Sequence, residues 1–216
     1  LNARQVKIPG ILVDCVVVAK PENHWQTYGT PYNPAYSCEF KVPTASIEPL
    51  PMDERKIIAR RVAFELQPNM VVNLGIGMPE GMANVANEEG IFDYLTLTAE
   101  AGSIGGIPSG GLDFGTATNM DCLIDMHSQF DFYDGGGLDL ACLGLAQMDA
   151  RGNVNVSKFG SKLAGCGGFI DITQTAKKIV FAGTFTAGAA EMAIADGKLK
   201  IIKDGGLKKI IREVEQ

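Results

Sequence analysis

Apolar residues along this chain follow two rhythms. Short runs rich in apolar residues at 11–19, 70–74, 95–98, 138–146 and 178–182, most of them flanked by Gly, Asn or Lys, predict strands, those at 11–19 and 178–182 buried. Between them, Ile57, Ile58, Val62, Ala63 and Leu66 recur near helical spacing with Arg and Lys opposite, and Asp53 offers an N-cap. Residues 82–89 also read as helix. Residues 130–137 read as a loop or hairpin-like element, 119–124 are ambiguous, and 170–177 read as helix or turn. Asp149, Gly152 and Asn153 mark a turn, after which 154–156 resume β character. Residues 198–203 and 207–214 suggest peripheral β structure. Strands alternating with helices predict an α/β fold, an open and mostly parallel sheet flanked by helices.

The segment at 20–51 breaks this pattern. It carries Pro21, Pro31, Pro34, Pro43, Pro49 and Pro51, which forbid continuous helix or central strand, interleaved with Trp25, Tyr28, Tyr32 and Tyr36. Either it is an extended linker packed on its own domain or it connects two domains. The composition changes at Asp53. The chain opens on Leu1 and closes on a charged stretch, and the expectation is that it is one piece of a larger polypeptide.

Composition narrows the classes. Hydrophobic residues make up 46% and charged residues 20% of the 216 positions, enough for a proper core. The net charge of −6 with no basic stripe argues against a nucleic-acid partner. Five cysteines lie far apart with no CxxC, as expected of small buried apolar residues in a reducing compartment. His24 and His127 fall in no metal-ligand pattern, so no metal is expected. No apolar run approaches 18 residues and no signal peptide is visible, so a soluble, cytoplasmic protein and no membrane partner are expected.

Candidate chemistry gathers after the predicted strands, where open α/β sheets bind ligands. The run at 95–98 ends on Glu100, with glycine at 102, 105 and 106. Glu100 is either a solvated strand-end carboxylate or a presented reactive group. Gly75 and Gly77 follow the run at 70–74 and precede a helix, an arrangement suited to an anion at the helix N-terminus or to close helix–strand packing. The Gly-x-Gly-x-x-Gly spacing is not met, so dinucleotide binding is not expected. Gly165, Gly167 and Gly168 form a second dense loop. Lys158, Lys162 and Lys177 are either solvated or available to phosphates.

Four segments in order carry a resemblance: Asn73-Leu74-Gly75-Ile76-Gly77-Met78-Pro79; Glu100-Ala101-Gly102; Leu143-Gly144-Leu145-Ala146-Gln147-Met148-Asp149 with Gly152-Asn153; and Gly165-Cys166-Gly167-Gly168-Phe169-Ile170-Asp171. Together they resemble the C-terminal, β-type half of the family I coenzyme A transferases, with the acetate/propionate branch most similar. The resemblance implies that residues 1–52 are the end of a preceding domain and a connector, and that 53–216 are the domain carrying the catalytic glutamate, truncated at its C-terminus. It implies Glu100 as nucleophile, Gly167 and Gly168 at the oxyanion and CoA, and Gly144, Leu145, Ala146, Gln147, Gly75 and Gly77 lining the pocket. Many relatives carry Asn after the glutamate, where this chain has Ala101. The resemblance also implies ping-pong transfer of CoA, itself a substrate, between a short-chain acyl-CoA and a carboxylate. No cofactor is implied. A missing N-terminal domain and a homo-oligomer are. Two alternatives stay open: a non-catalytic module sensing acyl-CoA or a sugar phosphate, and an acyl-CoA hydrolase.

Overall fold

The computed structural model describes residues 2–43, 48–188 and 190–215; residues 44–47 of the proline-rich segment lie outside it. Its centre is a six-stranded sheet. The strands are β1 (Val71–Leu74), β2 (Thr96–Thr98), β3 (Ser103–Ile104), β4 (Cys122–Leu123), β5 (Leu140–Leu143) and β6 (Ile179–Phe181). Their spatial order is β6-β5-β1-β2-β3-β4. β1 pairs in parallel with β2 on one side and β5 on the other, β6 extends β5 in parallel, and β3 and β4 add antiparallel strands. The chain therefore leaves β1 toward one edge, returns, and continues toward the other. In sheets wound this way, the crevice where the direction reverses is the natural ligand site, at the carboxyl ends of the strands.

Helices cover both faces. α1 (Glu54–Ala63) and α2 (Gly81–Glu88) pack together on one, α3 (Met126–Asp134) and α4 (Phe169–Thr175) on the other. The two-residue period of the strands sorts the core accordingly. Val72, Leu74, Leu97, Leu140 and Cys142 meet Val62, Met82 and Ala83, while Ala141 and Leu143 meet Tyr133, Leu138 and Ile172. The Asp53 carboxylate caps α1 by accepting from Lys56 N at 3.0 Å. The buried Lys56 ammonium, 2.7 Å from Glu88 and 3.0 Å from the Leu50 carbonyl, ties α1 to α2.

Four expectations are corrected. Residues 11–19 are not a strand: only a 3-10 turn at Gly10–Leu12 forms, and Ile11 and Val18 are 91% and 93% exposed. An apolar run becomes a strand only against a partner edge, and among the described residues this one has none. Residues 130–137 are not a hairpin, because α3 runs through them to Asp134 and Gly135 ends it. Phe130 and Tyr133, three apart, turn to the core as helix neighbours. Residues 179–181 do form β6, but as an edge strand that is only partly covered. Of the five cysteines, all free, only Cys142 is buried; the others lie on irregular segments or on β4 at the sheet edge, away from the core. The proline-rich segment rests on the loop at 110–119. Gly29 N donates to the Leu112 carbonyl at 3.1 Å, Thr27 bonds Asp113, and Val42 exchanges two 2.7 Å bonds with the Asn119 amide.

Candidate active site

The crevice predicted by the topology holds Glu100. β2 ends at Thr98, the backbone turns through Ala99–Gly102, and β3 returns antiparallel with Ala99 N donating to Ser103 O at 3.1 Å. The turn depends on Gly102, which sits at φ +115° where a Cβ would fall 1.9 Å from the Ile124 carbonyl oxygen. Glu100 is thus fixed at the strand end, largely buried. Its Oε2 atom has no hydrogen-bond partner among the described residues. Burial pushes the carboxyl above the ordinary glutamate range; a backbone hydrogen bond and the Asn73 side-chain amide pull the other way without cancelling it.

Two cavities meet at this carboxylate. One of about 510 Å³ is walled by Gly75, Ile76, Gly77, Met78, Leu143, Gly144, Leu145, Ala146, Phe159, Cys166 and Lys209. The other, about 500 Å³, is walled by Met126, Phe130 and Asp171. Both share Glu100, Phe114, Gly167 and Gly168. Gly168 lies so close to α3 that a Cβ would stand 2.8 Å from the Phe130 ring. Among the described residues neither the Gly167 nor the Gly168 N–H has an acceptor. Unpaired backbone donors beside a carboxylate in a concave, mostly apolar site are the parts an acyl-transfer centre requires.

The sequence-predicted positions converge here with exceptions. Glu100, Gly75, Gly77, Gly144, Leu145, Ala146, Gly167 and Gly168 all border the first cavity. Gln147 does not; its amide oxygen accepts from Asn155 Nδ2 at 3.0 Å, in the hairpin of Gln147–Met148 with Val154–Asn155. Lys177 pairs with Asp139 at 2.7 Å, beyond the amino end of β5 and so at the far side of the sheet. Neither Lys158 nor Lys162 borders either cavity, and the lysine that does is Lys209. Sequence reading also missed the polar side chains under Glu100, namely Asn73, Thr98, Gln129 and Tyr133, all buried. Asn73 lies in the first of the resembling segments, and a polar residue in the middle of a buried strand was the available signal. Among the described residues no group of three or more His, Cys, Asp or Glu side chains fits a metal ion, and no helix is long and apolar enough to cross a membrane.

The fold and site define a doubly wound α/β domain that presents a carboxylate, beside free backbone amides, at its topological switch point. Comparison with known proteins makes the class specific. No family model matches the sequence. The chain is 50% identical over 222 residues to a caffeate CoA-transferase of Acetobacterium woodii, matching all of this chain and 42% of that protein. It is 33% identical over 162 residues to the β subunit of an acetate CoA-transferase of Escherichia coli K12, 70% of each. All of it superposes with a TM-score of 0.79 and 46% identity on 39% of an acyl-CoA transferase of E. coli O157:H7, crystallised as a thioester complex with CoA. The chain belongs to the family I CoA-transferases, as the β-type domain. It spans about two fifths of the single-chain relatives it matches.

Proposed function

We propose that this chain is the glutamate-bearing half of an enzyme that moves CoA from a short-chain acyl-CoA to a carboxylic acid such as acetate. The observation that carries the reading is Glu100: a largely buried carboxylate between two cavities, its Oε2 without a partner among the described residues, beside the Gly167 and Gly168 amides. A module that only sensed acyl-CoA would have no use for such a group.

In the proposed reaction the Glu100 carboxylate attacks the acyl-CoA carbonyl, expelling CoA thiolate and leaving an acyl-glutamyl anhydride. The thiolate then attacks the glutamyl carbonyl, which releases the acyl group as a free carboxylate and leaves a glutamyl-CoA thioester. An incoming carboxylate attacks that thioester and runs the two steps in reverse. One covalent nucleophile divides the exchange into steps of similar energy. A carboxylate is required because the intermediate is its own thioester, and Gln is not nucleophilic. Each tetrahedral intermediate bears an oxyanion, for which the Gly167 and Gly168 N–H groups are the proposed donors. Losing one such donor typically costs about 2.7–4 kcal/mol of transition-state stabilisation. The first cavity, with Lys209 at its wall, suits the CoA arm, and the second, with Met126, Phe130 and Phe114, suits a small apolar acyl group.

Both cavities are open to solvent, and a further domain is proposed to close them. Remote binding energy along the CoA arm would then be available to drive the chemistry at Glu100. The thioester complex of the 46% identical relative supports a covalent CoA intermediate here. The test is mass spectrometry of the complete enzyme after incubation with acetyl-CoA. A CoA-sized adduct is expected on the peptide holding Glu100 and should be discharged by acetate. Active enzyme with no adduct there would overturn the assignment.

A further inference from the structure

Four polar atoms are buried without a partner among the described residues, on Asn73, Gln129, Glu100 and Ser103. Unpaired buried polar atoms are costly, and their gathering in one region of a core marks a polar cluster kept for some purpose. Its hub is Tyr133. The fully buried phenol oxygen accepts from Gln129 Nε2 at 2.9 Å and from Asn73 Nδ2 at 3.3 Å, and donates to Thr98 Oγ1 at 2.9 Å. Thr98 in turn donates to the Val72 carbonyl at 3.2 Å. One proton and two lone pairs are all a phenol oxygen offers, so the hub is saturated and every bond has a fixed direction.

The sheet aims this cluster at the glutamate. Asn73 and Thr98 are register partners on β1 and β2, and Glu100 follows Thr98 by two residues. Both Asn73 Nδ2 protons are engaged, one on the Tyr133 hydroxyl and one on the Thr98 carbonyl at 3.5 Å, which locks the amide at the strand end that leads into Glu100. The amide favours the ionised carboxylate, and the Glu100 charge is felt in return at the Tyr133 hydroxyl. Tyr133 touches neither cavity, so it reaches the site only through these neighbours.

We propose that Tyr133, braced by Gln129, is a positioning residue for the nucleophile: its hydroxyl pins Asn73 and Thr98, the register pair from which the chain runs into Glu100. This rests on the reading of Glu100 as the nucleophile. Replacing Tyr133 by Phe keeps the ring in the core, frees the Asn73 amide to rotate and withdraws its support from the carboxylate. The other titratable groups around Glu100 are Asp171 on α4, Cys166 in the glycine loop and Lys209, and the variants below leave all of them in place.

The test compares Tyr133→Phe, Asn73→Ala and the double variant in the complete enzyme, with kcat counted per site that forms a CoA adduct. Tyr133→Phe is expected to lower kcat roughly ten- to hundredfold with KM for acyl-CoA changed by less than about twofold, the signature of an interaction felt in the transition state. The acid limb of its pH profile should move to higher pH. The double variant should lose little more than Asn73→Ala alone, because the two act through one contact. A wild-type kcat and acid limb in Tyr133→Phe, or losses that multiply in the double variant, overturns the proposal. If Tyr133→Phe does not fold, Gln129→Leu removes one brace and keeps the phenol; the same shift in a smaller degree supports the proposal, and an unmoved acid limb overturns it. Wild-type enzyme that turns over with no adduct on the Glu100 peptide refutes the nucleophile reading itself. An adduct on Glu100 with no effect of Tyr133→Phe refutes this proposal alone.

Discussion

Gly102 and the Ile124 carbonyl approach so closely that no side chain fits between them: a Cβ at 102 would lie 1.9 Å from the oxygen. The contact is part of a bonded pair, since Ile124 N donates to Gly102 O at 3.0 Å. Gly102→Ala therefore pushes the β2–β3 turn away from the segment that follows β4, as well as straining a φ of +115°. Backbone strain alone of this kind costs about 1–3 kcal/mol. The expected outcome is a lower thermal midpoint and loss of the CoA adduct at Glu100, read by calorimetry and intact mass. Wild-type adduct formation in this variant would show that the turn does not place the carboxylate.

A second close approach controls the loop proposed to hold the oxyanion. Gly168 sits against the Phe130 ring, and a Cβ there would stand 2.8 Å away. Here the obstacle is a side chain rather than backbone, so the variant is expected to fold with the loop displaced. Gly168→Ala should lower kcat about a hundredfold or more, the scale of a lost oxyanion donor, with a smaller change in KM. Pairing it with Phe130→Leu should recover part of that loss. A double variant as slow as the single one would separate the loop's role from this contact.

Where these features were readable in advance, one local signal sufficed. The strands at Val71–Leu74 and Leu140–Leu143 are short apolar runs, the first broken only by Asn73, and Glu100 is marked by the glycines after it. Features that depend on partners distant in sequence were not readable. The run Phe130-Asp131-Phe132-Tyr133 alternates like a strand, and only its packing on Ala141, Leu143 and Ile172 reveals the helix. Residues 11–19 have strand composition and no edge to join. Tyr133 meets Asn73 and Thr98 across separations of 60 and 35 residues, and Gln147 turns to Asn155 because a hairpin forms there. Lys209 enters the cavity wall from near the end of the chain, carried by its bonds to Phe185 and Met148.

The thiols offer a check on the cavity. Burial pushes Cys142 up to about 12, so its thiolate is scarce at neutral pH and it should resist alkylation. Cys166 is exposed at the wall of the first cavity. Maleimide is expected to label Cys166 and leave Cys142 unmodified in the native enzyme, as peptide mapping would show. Saturating acetyl-CoA should slow labelling of Cys166 severalfold if this cavity takes the CoA arm, and an unchanged rate would place the arm elsewhere.

Glu100 itself should trade stability for reactivity. Its carboxyl is raised above the ordinary range chiefly by burial, so the folded protein holds the proton more tightly than the unfolded chain does. For such a group the linkage favours folding below the unfolded pKa and is lost as pH rises through the folded value. At neutral pH the ionised carboxylate is therefore a net burden on the fold. Glu100→Gln mimics the protonated form in size and polarity. It should abolish transfer yet raise the thermal midpoint at pH 7, and the difference should shrink as pH falls toward the ordinary glutamate range. In the wild type, kcat/KM should fall on the acid side with a midpoint above that range, because in the proposed reaction only the carboxylate attacks. Melting curves of both proteins across that pH span are the measurement. A Glu100→Gln variant less stable than wild type at pH 7 would mean that the carboxylate is held by favourable contacts, and burial would then not be what raises its proton affinity.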